Sequence, residues 1–272
     1  RRQPRSTLFP YTTLFRSSRC CTASLVLFKT EPQMLHHLLQ SLPASVFTTI
    51  IDNSPTPVLQ SAVSGIPNTA YHFAGQNLGY GKGHNLGLAL SPPSMFHLIV
   101  NPDIIVNPGT LEQMLLFMEQ HPDIGILAPK LLHDDGSIQY LNRRYPAVLD
   151  LVLRHMPTGL LTQRMRRRLH DHEMRTTGYD AVCDVECISG AFMLCKRAAI
   201  ESAGGFDPEY FMYFEDFDLC CALRKQGVRT VCYPEASVIH RWTRASSKES
   251  YMTFVHIQSM LRFFNKWGWK WT

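Results

Sequence analysis

What most constrains this chain is an alternation, beginning at Ser24, of strand-length apolar or β-branched runs with segments of helical spacing. Residues 24–28, 46–51, 71–73, 96–100, 124–128 and 228–233 read as strands, and the apolar run at 188–195 restores the pattern after a long interruption. Helical segments fall at 32–42, with Pro32 in the first turn, around 86–90, after Pro108, at 197–203 and at 215–226, the last stopped by Gly227. The segment after Pro108 carries the apolar face Leu111, Met114, Leu115 and Met118. Such turn-by-turn alternation predicts an α/β fold, a mostly parallel Rossmann-like sheet flanked by helices. In these sheets ligands bind beyond the carboxyl ends of the strands, so chemistry is expected there.

Three stretches depart from the pattern. Residues 1–19 repeat Thr-Leu-Phe at 7–9 and 13–15 and hold five arginines and no acid. They are expected to lie outside the fold, as a non-native or disordered tail. Their five arginines account for the whole formal charge of +5, so the charge balance of residues 20–272 gives no reason to expect a nucleic-acid partner. Residues 130–180 break the alternation and carry arginines at 143, 144, 154, 164, 166, 167, 168 and 175, which predicts a lid or insert on a domain spanning 20–240. Residues 241–272 read as a C-terminal helical tail. Its Trp267, Trp269 and Trp271, set among Lys266 and Lys270, suit a membrane interface or packing on the domain.

No run of 18 apolar residues occurs. The eight cysteines form no C-x-x-C pair, which favours reduced thiols, a cytoplasmic location and a role as small buried hydrophobes over a zinc site.

Candidates for chemistry follow the strands. Asp52 ends the second and Asp103 follows the fourth, so acids some fifty residues apart converge on one crevice. In Asn101-Pro102-Asp103 a restricted turn holds an amide and a carboxylate, donors suited to Mg²⁺ or Mn²⁺, which take further ligands from water and substrate phosphates. Alone, the same tripeptide is an ordinary turn. The glycines at 79–87 complete neither G-x-G-x-x-G nor a P-loop, leaving close approach to a nucleotide or plain turn glycines. The densest cluster, 204–218, interleaves Glu215, Asp216 and Asp218 with Phe211, Tyr213 and Phe214. Acids at a helix start are favoured by the dipole alone. Three in four positions, among aromatics able to form a sugar platform, suggest a carboxylate base for a hydroxyl.

Taken in order, Ile51-Asp52-Asn53-Ser54, the stretch from Asn77 to Asn85, Asn101-Pro102-Asp103, Ser189-Gly190-Ala191-Phe192-Met193, Gly204-Gly205-Phe206-Asp207, Glu215-Asp216-Phe217-Asp218-Leu219 and His240 resemble the family 2 glycosyltransferases of GT-A fold, rhamnosyltransferase-like branch. The resemblance runs from about Ser24 to His240 and implies an inverting, metal-dependent transfer of a sugar from a nucleotide diphosphate donor. It implies dTDP-rhamnose as donor, a saccharide or polyprenyl-linked saccharide as acceptor, and cell-surface polysaccharide as product. It further implies Asp216 as general base with Glu215 next, Asp103 and His240 as metal ligands, and Asp52, Asn53, Asn77, Gly79, Gly83, Asn85 and Asn101 as donor contacts. Phe211, Tyr213, Phe214 and Asp218 fall to the acceptor, with 130–180 as the acceptor-side insert. A peripheral location on the inner face of the bacterial cytoplasmic membrane fits such an acceptor. Phe28-Lys29-Thr30 replaces the family's Thr/Ser-Tyr-Asn, and Asn101 stands first in the D-x-D-like triplet. The alternatives are a sugar nucleotidyltransferase, or a catalytically silent sugar- or membrane-binding module.

Overall fold

The computed structural model describes residues 20–241 and 250–272. The segment 1–19, expected to lie outside the fold, falls outside the described residues. In chain order the elements are β1 (Cys21–Leu27), α1 (Pro32–Ser41), β2 (Phe47–Asp52), α2 (Gln60–Val63), β3 (Thr69–Phe73), α3 (Tyr80–Leu90), β4 (Phe96–Val100), β5 (Ile104–Val106), α4 (Thr110–Gln120) and β6 (Ile124–Leu132). There follow α5 (Val148–His155), a 3₁₀ turn (Thr158–Leu160), α6 (Gln163–His172), β7 (Cys183–Asp184), β8 (Phe192–Lys196), α7 (Arg197–Ser202), α8 (Glu215–Lys225), β9 (Arg229–His240) and α9 (Ser250–Trp267).

The strands form one mixed sheet in the order β3-β2-β1-β4-β8-β6-β9-β5, with β7 beside β9. The first four are parallel; β8 runs antiparallel to both β4 and β6. Period-two burial divides the core. In β4, Leu98 and Val100 face α1 and α4 in one cluster, whereas Ile99 joins Leu88, Ile200, Phe206 and Leu219 under α3, α7 and α8. A third cluster joins Leu151 of α5 to Tyr210, Phe214, Phe263 and Phe264, which seats α9 on the domain.

Two sequence expectations change. The glycine stretch expected as a loop before residue 86 is itself helical, because α3 begins at Tyr80. Its glycines let the helix press on the sheet: a Cβ on Gly83 would stand 2.7 Å from Val26, and one on Gly87 the same distance from Ser24. Tertiary packing here outweighs the poor helix propensity of glycine. The last strand, expected to stop at 233, continues to His240. Its register against β6 shifts between Pro129 and Lys130, absorbing Pro234 in an irregularity.

The topology gathers polar residues at one edge. Leu27 pairs with Asp52 and Leu25 with Val100, so β1, β2 and β4 end together. Antiparallel β8 begins opposite Val100, which delivers Ser189-Gly190-Ala191 to the same place.

Candidate active site

Asp103 and His240 meet through strand pairing. Ile104 lies opposite His240 in the β5–β9 ladder, and the Arg241 N–H donates to the Asp103 carbonyl at 2.8 Å. The His240 Nε2 stands 3.4 Å from Asp103 Oδ1, and both atoms are buried without a hydrogen-bond partner. On the other side of its ring, His240 Nδ1 lies 2.7 Å from Gln139 Oε1, which fixes the tautomer: Nδ1 donates, so Nε2 presents a lone pair. A carboxylate oxygen and an imidazole lone pair, both unsatisfied and facing each other, form a donor pair that a divalent cation satisfies. Among the described residues no group of three or more His, Cys, Asp or Glu is arranged to hold an ion unaided. The pair therefore fits an ion whose remaining ligands come from phosphate oxygens and water. It opens on a cleft of about 430 Å³ that is also lined by His37, His133, Asp134 and Arg241.

Asp103 connects to Asp216 through backbone. Asn101 N–H donates to the Ala191 carbonyl at 3.0 Å, and the neighbouring Gly190 N–H donates to Asp216 Oδ2 at 2.9 Å. The Gly190 carbonyl in turn accepts the Tyr80 hydroxyl at 2.5 Å. Burial first, then the charges of Glu215, Asp216 and Asp103, raise the Tyr80 pKa well above its ordinary value. The adjacent Glu215 and Asp216 and the sequence-distant Asp103 thus all lie within electrostatic reach of one phenol. Tyr80 escaped the sequence reading; its only signal was an aromatic inside the glycine stretch.

Glu215 and Asp216 open α8 on different faces. Glu215 is 5% exposed, with Oε2 unpartnered, and burial followed by the Asp216 charge raises its pKa well above the usual carboxylate range. Asp216 is half-buried; burial also raises its pKa, but the N–H groups of Gly190 and Phe217 and the Arg143 charge oppose that rise. Of this coupled pair, Glu215 is the more strongly raised, and Asp216, with an N–H group on each oxygen, is the more readily ionised. Tyr213 and Phe214, just before them, both hold left-handed backbone at φ 70° and 65°. Non-glycine residues rarely adopt it, and here it turns the chain sharply into α8.

The remaining expected contacts fall into two groups. Asn101 is half-buried beside Asp103, Asn77 is exposed, and Phe211 and Tyr213 are part-buried at the cleft. Phe211 accepts the Tyr80 N–H at 3.0 Å, and Tyr213 lies 5.1 Å from the His256 ring. The others are spent on the scaffold. Asp52 is fully buried, its oxygens accepting from the Tyr71 hydroxyl at 2.6 Å and the Ser54 N–H at 2.9 Å. Asn53 Nδ2 donates to the Gly79 carbonyl, and the Asn77 side chain accepts the Gly79 N–H. Gly79 has φ 85°, and a Cβ there would stand 2.2 Å from the Phe211 carbonyl oxygen, so it locks the loop before α8 onto α3.

Four expectations are corrected on this geometry. Gly83 packs on Val26 instead of facing a ligand. Asn85 clamps the Phe206 backbone with both ends of its amide, at 2.9 and 2.7 Å. Phe214 lies in the third core cluster, not on a sugar platform. Asp218, 2% exposed, accepts from Tyr210, Trp267 and Lys266, which pins α9 rather than an acceptor.

Among the described residues no helix is long and apolar enough to cross a membrane. The eight cysteines are free, and five are buried.

The comparisons agree with this arrangement. The chain is 29% identical over 223 residues to the N-acetylglucosaminyl-diphospho-decaprenol L-rhamnosyltransferase of Mycobacterium tuberculosis, covering 76% of this chain and 69% of the relative. It is 29% identical over 175 residues to the rhamnosyltransferase WbbL of Escherichia coli, covering 59% of this chain and 61% of the relative. Among solved structures it resembles GalNAc-T7 with UDP, GalNAc and Mn²⁺, at a TM-score of 0.62 and 13% identity, over 83% of this chain and 43% of that one. The mannosyltransferase PcManGT of Pyrobaculum calidifontis, in complex with GDP-Man and Mn²⁺, gives a TM-score of 0.59 at 15% identity, over 92% of this chain and 64% of that one. The model of the glycosyltransferase-like family 2 matches residues 45–262, and the chain belongs to that family, as a glycosyltransferase of GT-A fold.

Proposed function

We propose that this protein transfers rhamnose from dTDP-rhamnose, with inversion, to a saccharide carried on a polyprenyl diphosphate, in cell-surface polysaccharide synthesis. The observation that supports this reading is the short backbone path from Asp216 through Gly190-Ala191 to Asn101 and Asp103, which links the carboxylate of α8 to the turn that carries Asp103. The relatives' names support the sugar and the lipid carrier.

In the reaction, Asp216 takes the proton of the acceptor hydroxyl as its oxygen bonds to the anomeric carbon. The bond from that carbon to the diphosphate oxygen breaks, and nucleoside diphosphate leaves with the electron pair. One displacement inverts the centre. Asp103 and His240 would hold Mg²⁺ or Mn²⁺, which supplies charge neutralisation at the departing diphosphate. With Glu215 the more strongly raised of the two, Asp216 serves as the base. Asn101 and Asn77 remain placed for donor contacts, and Tyr71 must yield its hydrogen bond for Asp52 to reach a nucleobase.

Peripheral contact with the inner face of the cytoplasmic membrane belongs to the same proposal. The outer face of α9 exposes Tyr251, Phe254, Ile257 and Leu261, and Trp271 beyond it is 64% exposed. Residues 250–272 contain no acid. An apolar helical face without negative charge suits an anionic lipid surface. Polar replacement of those four α9 residues should release the protein from anionic liposomes, and unchanged association would defeat the contact.

Calorimetric titration with a panel of nucleotide sugars, with and without Mn²⁺, tests the donor. Tightest, Mn²⁺-dependent binding of dTDP-rhamnose is expected; preference for another nucleotide sugar would replace it.

A further inference from the structure

Next to the catalytic carboxylates, the 130–180 segment gathers more cations than its own acids pair. Arg143, 4% exposed, donates to the backbone carbonyls of Tyr140 and Asn142, and its nearest counter-ion is Glu173 at 3.8 Å. Glu173 is already engaged by Arg175 at 2.6 Å. Asp150 takes Arg168 at 2.6 Å and faces His172 at 3.8 Å. His172 is 3% exposed, and neither ring nitrogen has a hydrogen-bond partner. Arg154, in the last turn of α5, forms no ion pair with any acid of the described residues. Three arginines thus share two carboxylates and Arg154 pairs with neither, around a buried histidine with unmet polar atoms. Charge collected without its counter-charge is costly, and the arrangement is satisfied by an incoming anion.

The cluster is joined to the segments that flank Asp216. Arg143 is bridged to Cys187 by a reciprocal pair of 3.0 Å backbone hydrogen bonds, three residues before the Gly190 that holds Asp216. His155, beside Arg154, faces His256 with ring centres 5.8 Å apart, and His256 lies 5.1 Å from Tyr213 and 5.4 Å from Phe214. Arg154 is exposed, and it lies within electrostatic reach of both Arg143 and Glu173. A cation in a helix's last turn is favoured by the dipole alone, but that accounts for neither Arg143 nor His172.

We propose that Arg154, backed by Arg143, forms an anion subsite for the phosphate that joins the acceptor sugar to its lipid carrier. This rests on the acceptor assigned above. In a sugar 1-diphosphate the first phosphate is one pyranose ring away from the hydroxyls of that same ring. A guanidinium fork at Arg154 therefore grips the phosphate while the ring spans to Asp216, which orients the attacking hydroxyl.

The test compares two synthetic acceptors of equal alkyl chain length: an alkyl N-acetylglucosaminyl diphosphate and the alkyl N-acetylglucosaminide without phosphate. The wild type should favour the diphosphate in kcat/KM. Arg154→Ala should cut that preference by roughly tenfold to a hundredfold, mostly through KM of the diphosphate acceptor, the scale of a lost charge-assisted pair. Arg154→Lys should recover part of it. Calorimetric titration of Arg154→Ala with dTDP in Mn²⁺ should match the wild type, which separates acceptor binding from general damage to the site. An equal loss on both acceptors, or a wild type indifferent to phosphate, overturns the subsite while leaving sugar transfer standing. Failure of the wild type to use either acceptor with dTDP-rhamnose overturns the assigned function, and the subsite with it.

Discussion

On the side built from β1, β2, β4 and α3, glycine backbone is pressed against its neighbours: Gly83 sits on the Val26 side chain, Gly87 on the Ser24 Cβ, and Gly79 under the Phe211 carbonyl. On the side built from α5, α6 and α9, long side chains do the joining: the cluster of Leu151, Phe214, Phe263 and Phe264, with Asp150 paired to Arg168 and Asp218 to Lys266 and Trp267. The first side has no room for added atoms and holds the acids in fixed register. The second is assembled from longer side chains, suited to matching a particular acceptor. Glu215 and Asp216 sit at their junction, with Asp216 tied to the strand side by Gly190 and α8 pinned to the helical side by Asp218.

The largest expected effect breaks the junction itself. Asp216→Asn should lower kcat by about 10²-fold or more, the scale of a lost general base, with donor binding retained in calorimetry. Glu215→Gln, at a carboxyl whose burial raises its pKa well above the usual range, should stay within about tenfold of the wild type; reversed magnitudes would exchange the two roles. The pH profile follows from sign. The base works ionised, and its pKa lies above the ordinary aspartate value of 3.8, so kcat/KM should fall on acidification at a pH higher than an unperturbed aspartate would give. An acid limb at or below that value would contradict the burial of Asp216.

Smaller effects compare the two sides in thermal or urea unfolding. Asp218→Ala should cost about 2 kcal/mol, less than the roughly 3–5 of a fully buried pair, because Lys266 is 39% exposed. Gly83→Ala should cost about 1–3 kcal/mol, since its Cβ meets Val26 at 2.7 Å. Gly159→Ala, on the helical side, meets nothing within 4 Å and should move stability by no more than about 0.5 kcal/mol. Equal costs at Gly83 and Gly159 would erase the contrast between the two sides.

How much was legible in the sequence follows the same division. β4 and its acid-bearing turn were readable because a five-residue apolar run ending in Asn-Pro-Asp has one economical reading, and Asp52 and Asp103 stand at strand ends as expected. The start of α3 was hidden, because glycines disfavour helix locally and only the facing sheet shows what their missing side chains permit. The acids of α8 were visible as a cluster but not as individuals. Helical spacing puts Glu215 and Asp218 on one buried face and turns Asp216 away toward Gly190, a distinction that needs the helix's orientation. The acceptor side was legible only as a run of arginines, since which carboxylate each one meets depends on tertiary contacts.

The central claim is that Asp103 and His240 hold a divalent ion on the donor's diphosphate, with Asp216 linked to them through Gly190-Ala191 and Asn101. Pulsed EPR of Mn²⁺ bound to the protein with dTDP measures this directly. Coupling of one manganese to both a histidine nitrogen and nucleotide phosphorus is expected, with the nitrogen signal lost in His240→Gln. Phosphorus coupling with no histidine nitrogen in the wild-type protein would contradict the account.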